Sequence, residues 1–169
     1  MSHISDIKRV IPASVQSPAA YSADSQIADF ILGITFEIWE QRQVEKILDY
    51  YAEDVQVFSL EGITSSASEM VDKTYATLES YPDRKLLGDE VITSGNARKG
   101  FSSHRIISPM TNTGASAFGP ATGKFIQTMN VADCELENGR IVREWLMRDN
   151  LAMVRQLGIL PLDAASQVA

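Results

Sequence analysis

Apolar residues recur at helical spacing in the first half of the chain and alternate in the second. Ile27, Ile31, Ile34 and Ile38 share one helical face, with Phe30 and Trp39 beside them. Asp24 or Ser25 is placed to cap that helix. Val44, Ile47, Leu48 and Tyr51 predict a second helix, and Val55 to Leu60 a short strand. Ser66 and Glu69 form an S-x-x-E capping box for a third helix carrying Val71, Tyr75 and Leu78, which Pro82 ends. The period then changes to two. Leu86–Ser94, Phe101–Ser108, Lys124–Leu136 and Arg140–Met147 read as strands. Asn138-Gly139 predicts a tight hairpin between the last two, because both residues tolerate positive φ. Pro109 to Gly123, with three glycines and two prolines, reads as a long loop. Asp149 or Asn150 opens a final helix, with Asn150 the expected cap; Gly158 suits its C′ position and Pro161 follows.

Helices followed by a long-stranded sheet define an α+β chain. Three helices on one concave face of a curved, mostly antiparallel sheet, with a short C-terminal helix, make a cystatin-like cone (an α+β barrel). Such a cone has an apolar interior suited to a small molecule. The domain is expected over 24–160. Residues 1–23, with two prolines, five serines and no period, read as an arm, and 161–169 as a tail.

The 169 residues carry a net charge of −7 and are 44% hydrophobic, enough for a substantial core. No basic stripe exists to replace phosphate counterions, so nucleic acid and anionic membrane are not expected partners. A buried anionic ligand stays open, since one arginine in a pocket would bind it. The single cysteine, Cys134, excludes an internal disulfide; between Asp133 and Glu135 it reads as a buried structural thiol. No apolar run approaches a membrane span and no signal-like segment stands at the start, which makes the cytoplasm the default expectation. No second histidine or paired carboxylate stands at ligand spacing, and no glycine-rich phosphate loop is present, so neither metal nor cofactor is expected.

Several strings resemble one family in order and spacing. Tyr50-Tyr51-Ala52-Glu53-Asp54-Val55 resembles its helix-to-strand junction. Thr113-Gly114 with Ala121-Thr122-Gly123-Lys124 resembles its "TG…PTGK" loop. Asn138-Gly139-Arg140-Ile141 with Trp145 resembles "DGKI…HW", and Gln156-Leu157-Gly158 its closing "QLG". The family is the SnoaL-like polyketide cyclases of the nuclear-transport-factor-two-like superfamily, and the resemblance spans Ile27 to Gly158. It implies the cone fold, a sheet-face homodimer, and a pocket aspartate as general acid/base at the position of Asp133. Two histidines of the pattern are absent: Asn112 stands in Thr111-Asn112-Thr113-Gly114, and Arg143-Glu144-Trp145 replaces "EHW". The superfamily also holds ketosteroid isomerases, epoxide hydrolases, dioxygenase small subunits and non-enzymatic binding domains, so the fold alone assigns no chemistry.

The residues point to candidates for chemistry. Strand alternation puts Asp133 on a face with Phe125, Gln127, Met129 and Val131, where desolvation would make its carboxylate a stronger base. His104 is expected to shuttle a proton or stabilise an oxyanion. Glu144 and Arg148 share parity, and a structural salt bridge and a substrate role stand even; a buried Arg148 would orient a carboxylate or enolate oxygen. Asp149 borders the same segment. Trp39, Tyr51, Phe58 and Trp145 supply apolar walls. The expected function is a cofactor-free cyclase or isomerase of a hydrophobic carbonyl compound, with Asp133 and His104 catalytic. The alternatives are an epoxide hydrolase using Asp133 with Asp149 or Glu144 around Arg148, and a binding or association domain without chemistry. The opposite face of the same strand, Ile126, Thr128, Ala132, Cys134 and Leu136, is expected to pair two copies.

Overall fold

The structure, a computed structural model, describes residues 27–96 and 98–159. The expected arm, the tail and the first helix's cap at Asp24 or Ser25 lie outside the described residues. Helix α1 runs Ile27–Trp39. A 3-10 turn, Val44–Lys46, leads into the one-turn helix α2, Ile47–Tyr50. Strands β1, Tyr51–Ser59, and β2, Gly62–Thr64, precede α3, Ala67–Ser80. Strands β3, Leu87–Asn96, β4, Lys99–Thr111, β5, Phe125–Glu137, and β6, Arg140–Arg148, lead to α4, Asn150–Leu157. Among the described residues no helix is long and apolar enough to cross a membrane.

The six strands form one sheet in the order β2-β1-β6-β5-β4-β3. Only β1 and β6 pair in parallel. Register shifts at Gly88/Glu90, Glu135/Leu136 and Tyr51/Gln56 bend the strands, and the sheet closes partway around the helices. Fifteen buried residues from α1, the 3-10 turn, α2, β1, β5, β6 and the start of α3 form the main core, Phe30, Ile31, Val44, Leu136 and Ile141 among them. Tyr81, Met110 and Ile126 form a second cluster with Met153 and Leu157 of α4.

Local signals in the sequence set most boundaries. Ser66 Oγ accepts from Glu69 N at 3.2 Å, and Glu69 Oε2 accepts from Ser65 N at 3.0 Å, a box whose return bond falls one residue early. Asn138 and Gly139 take φ of 50° and 78° in the β5–β6 turn, the pairing that a type I′ turn requires. Gly158, at φ 72°, closes α4. Two expectations change here. The second helix is a short turn, because Tyr51 already belongs to β1 and leaves Leu48 exposed. Asp149, not Asn150, caps α4, since Ala152 N donates to Asp149 Oδ1 at 2.9 Å. Asn112, where the family pattern has histidine, fastens the long loop. Its Oδ1 accepts from Thr122 N at 2.8 Å and its Nδ2 donates to Gly114 O at 2.8 Å.

Candidate active site

The concave face of the sheet and the helices enclose a cavity of about 510 Å³, the size of a small-molecule site. The residues of β4 and β5 that line it are even-numbered. His104, Ile106 and Met110 come from β4, and Thr128, Asn130, Ala132 and Cys134 from β5; Glu144, Leu146 and Arg148 come from β6. Trp39 and Tyr81 border it from the helical side. In register, His104 stands beside Ala132 and Cys134 beside Glu144. Ala132 and Cys134 are small, so the floor is recessed between the polar groups that surround them.

This reverses the expected orientation of β5. Ile126, Thr128, Ala132, Cys134 and Leu136 are interior, with Ile126 and Leu136 fully buried, and form no outer face. Asp133 lies on the outer face, paired in register with Ser103 and Trp145, and does not line the cavity. Phe58 and Trp145 are also outside, where their rings stack at 5.7 Å. The reason is that both faces of β5 are apolar, so alternation separates two sets of residues without stating which set turns inward. Of the other expected residues, His104, Trp39, Tyr51, Glu144, Arg148 and Asp149 do line the cavity. Asp149 does so with its carboxylate engaged as the α4 cap.

Glu144 is the central group. It is buried, and its Oε2 accepts from the Tyr51 hydroxyl at 3.0 Å. Burial raises its pKa above the ordinary carboxylate value, while the Tyr51 hydrogen bond and the charge of Arg148 oppose that rise. Burial raises the Tyr51 hydroxyl as well, so it stays a proton donor. Of the two even readings of Glu144 and Arg148, the salt bridge does not form; Arg148 Nη1 instead reaches Glu61 Oε1 at 3.2 Å. His104 is held down to about 4 by desolvation, against a hydrogen bond to the Ala132 backbone and the charge of Asp133. Its ring is therefore neutral near pH 7, and Nδ1 has no partner. Asn130 Oδ1, beside Arg148 in register, is buried and unpartnered too. Cys134 is buried, and desolvation followed by the Glu144 charge pushes its thiol up, which fits a structural thiol and no nucleophile.

Two lining residues escaped the sequence. Asn130 carried a signal in its parity, since it shares the even face with Ala132 and Cys134. Arg84 carried none: it follows Pro82 in an irregular turn. It is buried, its guanidinium lies 5.1 Å from the Trp39 ring centroid, and its Nε donates to Ser108 Oγ at 3.1 Å.

A curved open sheet over a cavity of this kind defines the nuclear-transport-factor-two-like cones. The family profile of the SnoaL-like polyketide cyclases matches residues 31–157, and the chain belongs to that family. Among solved structures it is similar to AclR from Streptomyces galilaeus, a candidate hydroxylase, at 20% identity and a TM-score of 0.67, covering 81% of this chain and 100% of that one. IdmH from Streptomyces antibioticus, a candidate polyketide cyclase, matches at 20% identity and 0.67, covering 79% and 99%. A candidate SnoaL-like polyketide cyclase from Jannaschia sp. CCS1 matches at 12% identity and 0.71, covering 84% and 98%. At these identities the likeness concerns the fold. No curated protein matches the chain.

Proposed function

We propose that the chain is an enzyme that moves a proton on a hydrophobic carbonyl compound, with Glu144 as the general base. The observation that carries this is the Glu144 carboxyl itself. It is buried in the cavity and held by Tyr51 at 3.0 Å. Burial raises the basicity of such a carboxylate, and a ligand above it would exclude the remaining water. Glu144 takes a proton from the carbon α to the carbonyl. The C–H pair becomes the enolate, whose oxygen meets the Asn130 amide and the His104 ring, the neutral polar groups on the recessed floor. In an isomerisation the proton returns from Glu144 to another carbon. In a ring closure the enolate carbon bonds to a second carbonyl carbon, and the resulting alkoxide takes the proton. The epoxide-hydrolase reading required Asp133 in the pocket and loses support with its outward placement. Aromatic 1,3-dicarbonyl compounds incubated with the chain in D₂O test the proposal. Proton NMR should show the α-hydrogen signal disappearing faster than in buffer. Exchange at the buffer rate for every compound small enough for the cavity would oppose it.

We also propose that two copies pair through the outer sheet face. Phe101, Phe125, Met129, Trp145 and Met147 stand there, each 39–52% exposed. An isologous two-fold contact covers such a patch on both subunits at once.

A further inference from the structure

Arg84 carries a buried charge. It is only 6% exposed, and among the described residues it forms no ion pair. Among the described residues its guanidinium has one hydrogen-bond partner, the neutral Ser108 hydroxyl, at 3.1 Å. Buried guanidinium groups are ordinarily paired, because an uncompensated charge inside a protein is costly. Arg84 is nevertheless held firmly in place. The Trp39 ring lies 5.1 Å from its guanidinium. Arg42 donates to the Arg84 carbonyl at 2.8 Å, to the Pro82 carbonyl at 2.6 Å and to the Trp39 carbonyl, which ties the end of α1 to the turn that carries Arg84.

A second cation lines the same cavity. Arg148 spends Nη1 on the exposed Glu61, and its buried Nε has no partner. The two guanidiniums sense each other: desolvation first, then the charge of Arg148, brings Arg84 down to about 9 against the smaller pull of Tyr81 and Glu61, still cationic at neutral pH. Glu144 feels the charge of Arg148 but forms no ion pair with it or with Arg84, and its hydrogen bond is to Tyr51. An anion between the arginines would relieve the burial of Arg84, the repulsion between the pair and the unmet Arg148 donor together.

We propose that Arg84, with Arg148 beside it, forms a subsite for a carboxylate carried by the substrate. The inference rests on reading the cavity as the substrate site. A guanidinium fork matches the two carboxylate oxygens, and the Trp39 ring against Arg84 is placed to pack on an aromatic body next to that group. The substrate class then narrows from a hydrophobic carbonyl compound to an aromatic keto acid or its like.

Calorimetry on the full chain with 2-naphthoate and its uncharged methyl ester tests this. The acid should bind roughly ten- to a hundredfold more tightly than the ester, the range of a charge-assisted contact. Arg84→Gln should remove that preference and leave the ester's affinity unchanged, and Arg84→Lys should restore part of it. If Arg84→Gln does not fold, the wild-type comparison and Arg148→Gln decide. Glu144→Gln should keep the preference for the acid even if it abolishes proton exchange, so the subsite and the base are tested separately. Equal affinity for acid and ester, no binding of either, or a preference that survives Arg84→Gln would overturn the subsite. Equal affinity combined with slower exchange in Arg84→Gln would assign Arg84 to the enolate oxygen instead, which also overturns it.

Discussion

The Tyr51 hydroxyl donates to Glu144 Oε2 at 3.0 Å across the parallel β1–β6 pair, inside the cavity. Tyr51 pairs with Ile141 at the start of β1, and Glu144 pairs with Val57 beyond the register shift that precedes Gln56. Removing the hydroxyl leaves a buried carboxyl short of one donor. Tyr51→Phe should therefore raise the Glu144 pKa further and destabilise the fold by about 1–3 kcal/mol. A carbon-13 titration of labelled glutamate and urea unfolding measure the two effects. An unchanged titration would show that the hydrogen bond does not tune the base.

His104 makes the stability depend on pH. Its folded pKa, about 4, lies below its ordinary value of 6.5. The unfolded chain thus binds the proton more tightly, and the contribution is fully present above pH 6.5. It is lost as pH falls from 6.5 through about 4, by a total of about 3 kcal/mol. Unfolding of the wild type and of His104→Asn across that window should show the wild type losing more stability than the variant. Parallel curves would show that His104 is not held neutral.

Adjacent residues at the start of α4 have opposite roles. Asp149→Ala removes the cap on Ala152 N and should cost about 1 kcal/mol. Asn150→Ala removes a side-chain oxygen that has no partner and should cost much less. Urea midpoints of the two variants compare them directly.

The faces of the sheet separate assembly from folding. Met129→Lys places a charge on the outer patch, and light scattering should find a dimer for the wild type and a folded monomer for the variant. Ile126→Lys places one at a fully buried position and should unfold the chain. A wild-type monomer at micromolar concentration would refute the pairing.

The elements were legible because their signals are local. Ser66 with Glu69, Asn138 with Gly139, and Gly158 each act within a few residues, and the structure forms each as expected. The facing of β5 is a tertiary choice. Phe125, Met129 and Val131 on one side match Ile126, Ala132 and Leu136 on the other in apolar character, so hydrophobicity does not rank them. The outer set stays apolar although Phe125 and Met129 are half exposed. Small side chains at Ala132 and Cys134 were the available clue to the inner set, since a cavity needs room above its floor. That inversion moved Asp133 out of the site and left Glu144 as its buried carboxylate. Arg84 was out of reach, because its partners Trp39 and Ser108 lie far away in the chain.

The most direct test of the central claim compares Glu144→Gln with Asp133→Asn in the deuterium-exchange reaction. Each change removes one carboxylate at nearly constant shape. Glu144→Gln should slow exchange by roughly 10²–10⁴-fold, the usual worth of a general base, while Asp133→Asn stays near the wild-type rate. A large loss in Asp133→Asn with full activity in Glu144→Gln would contradict the account.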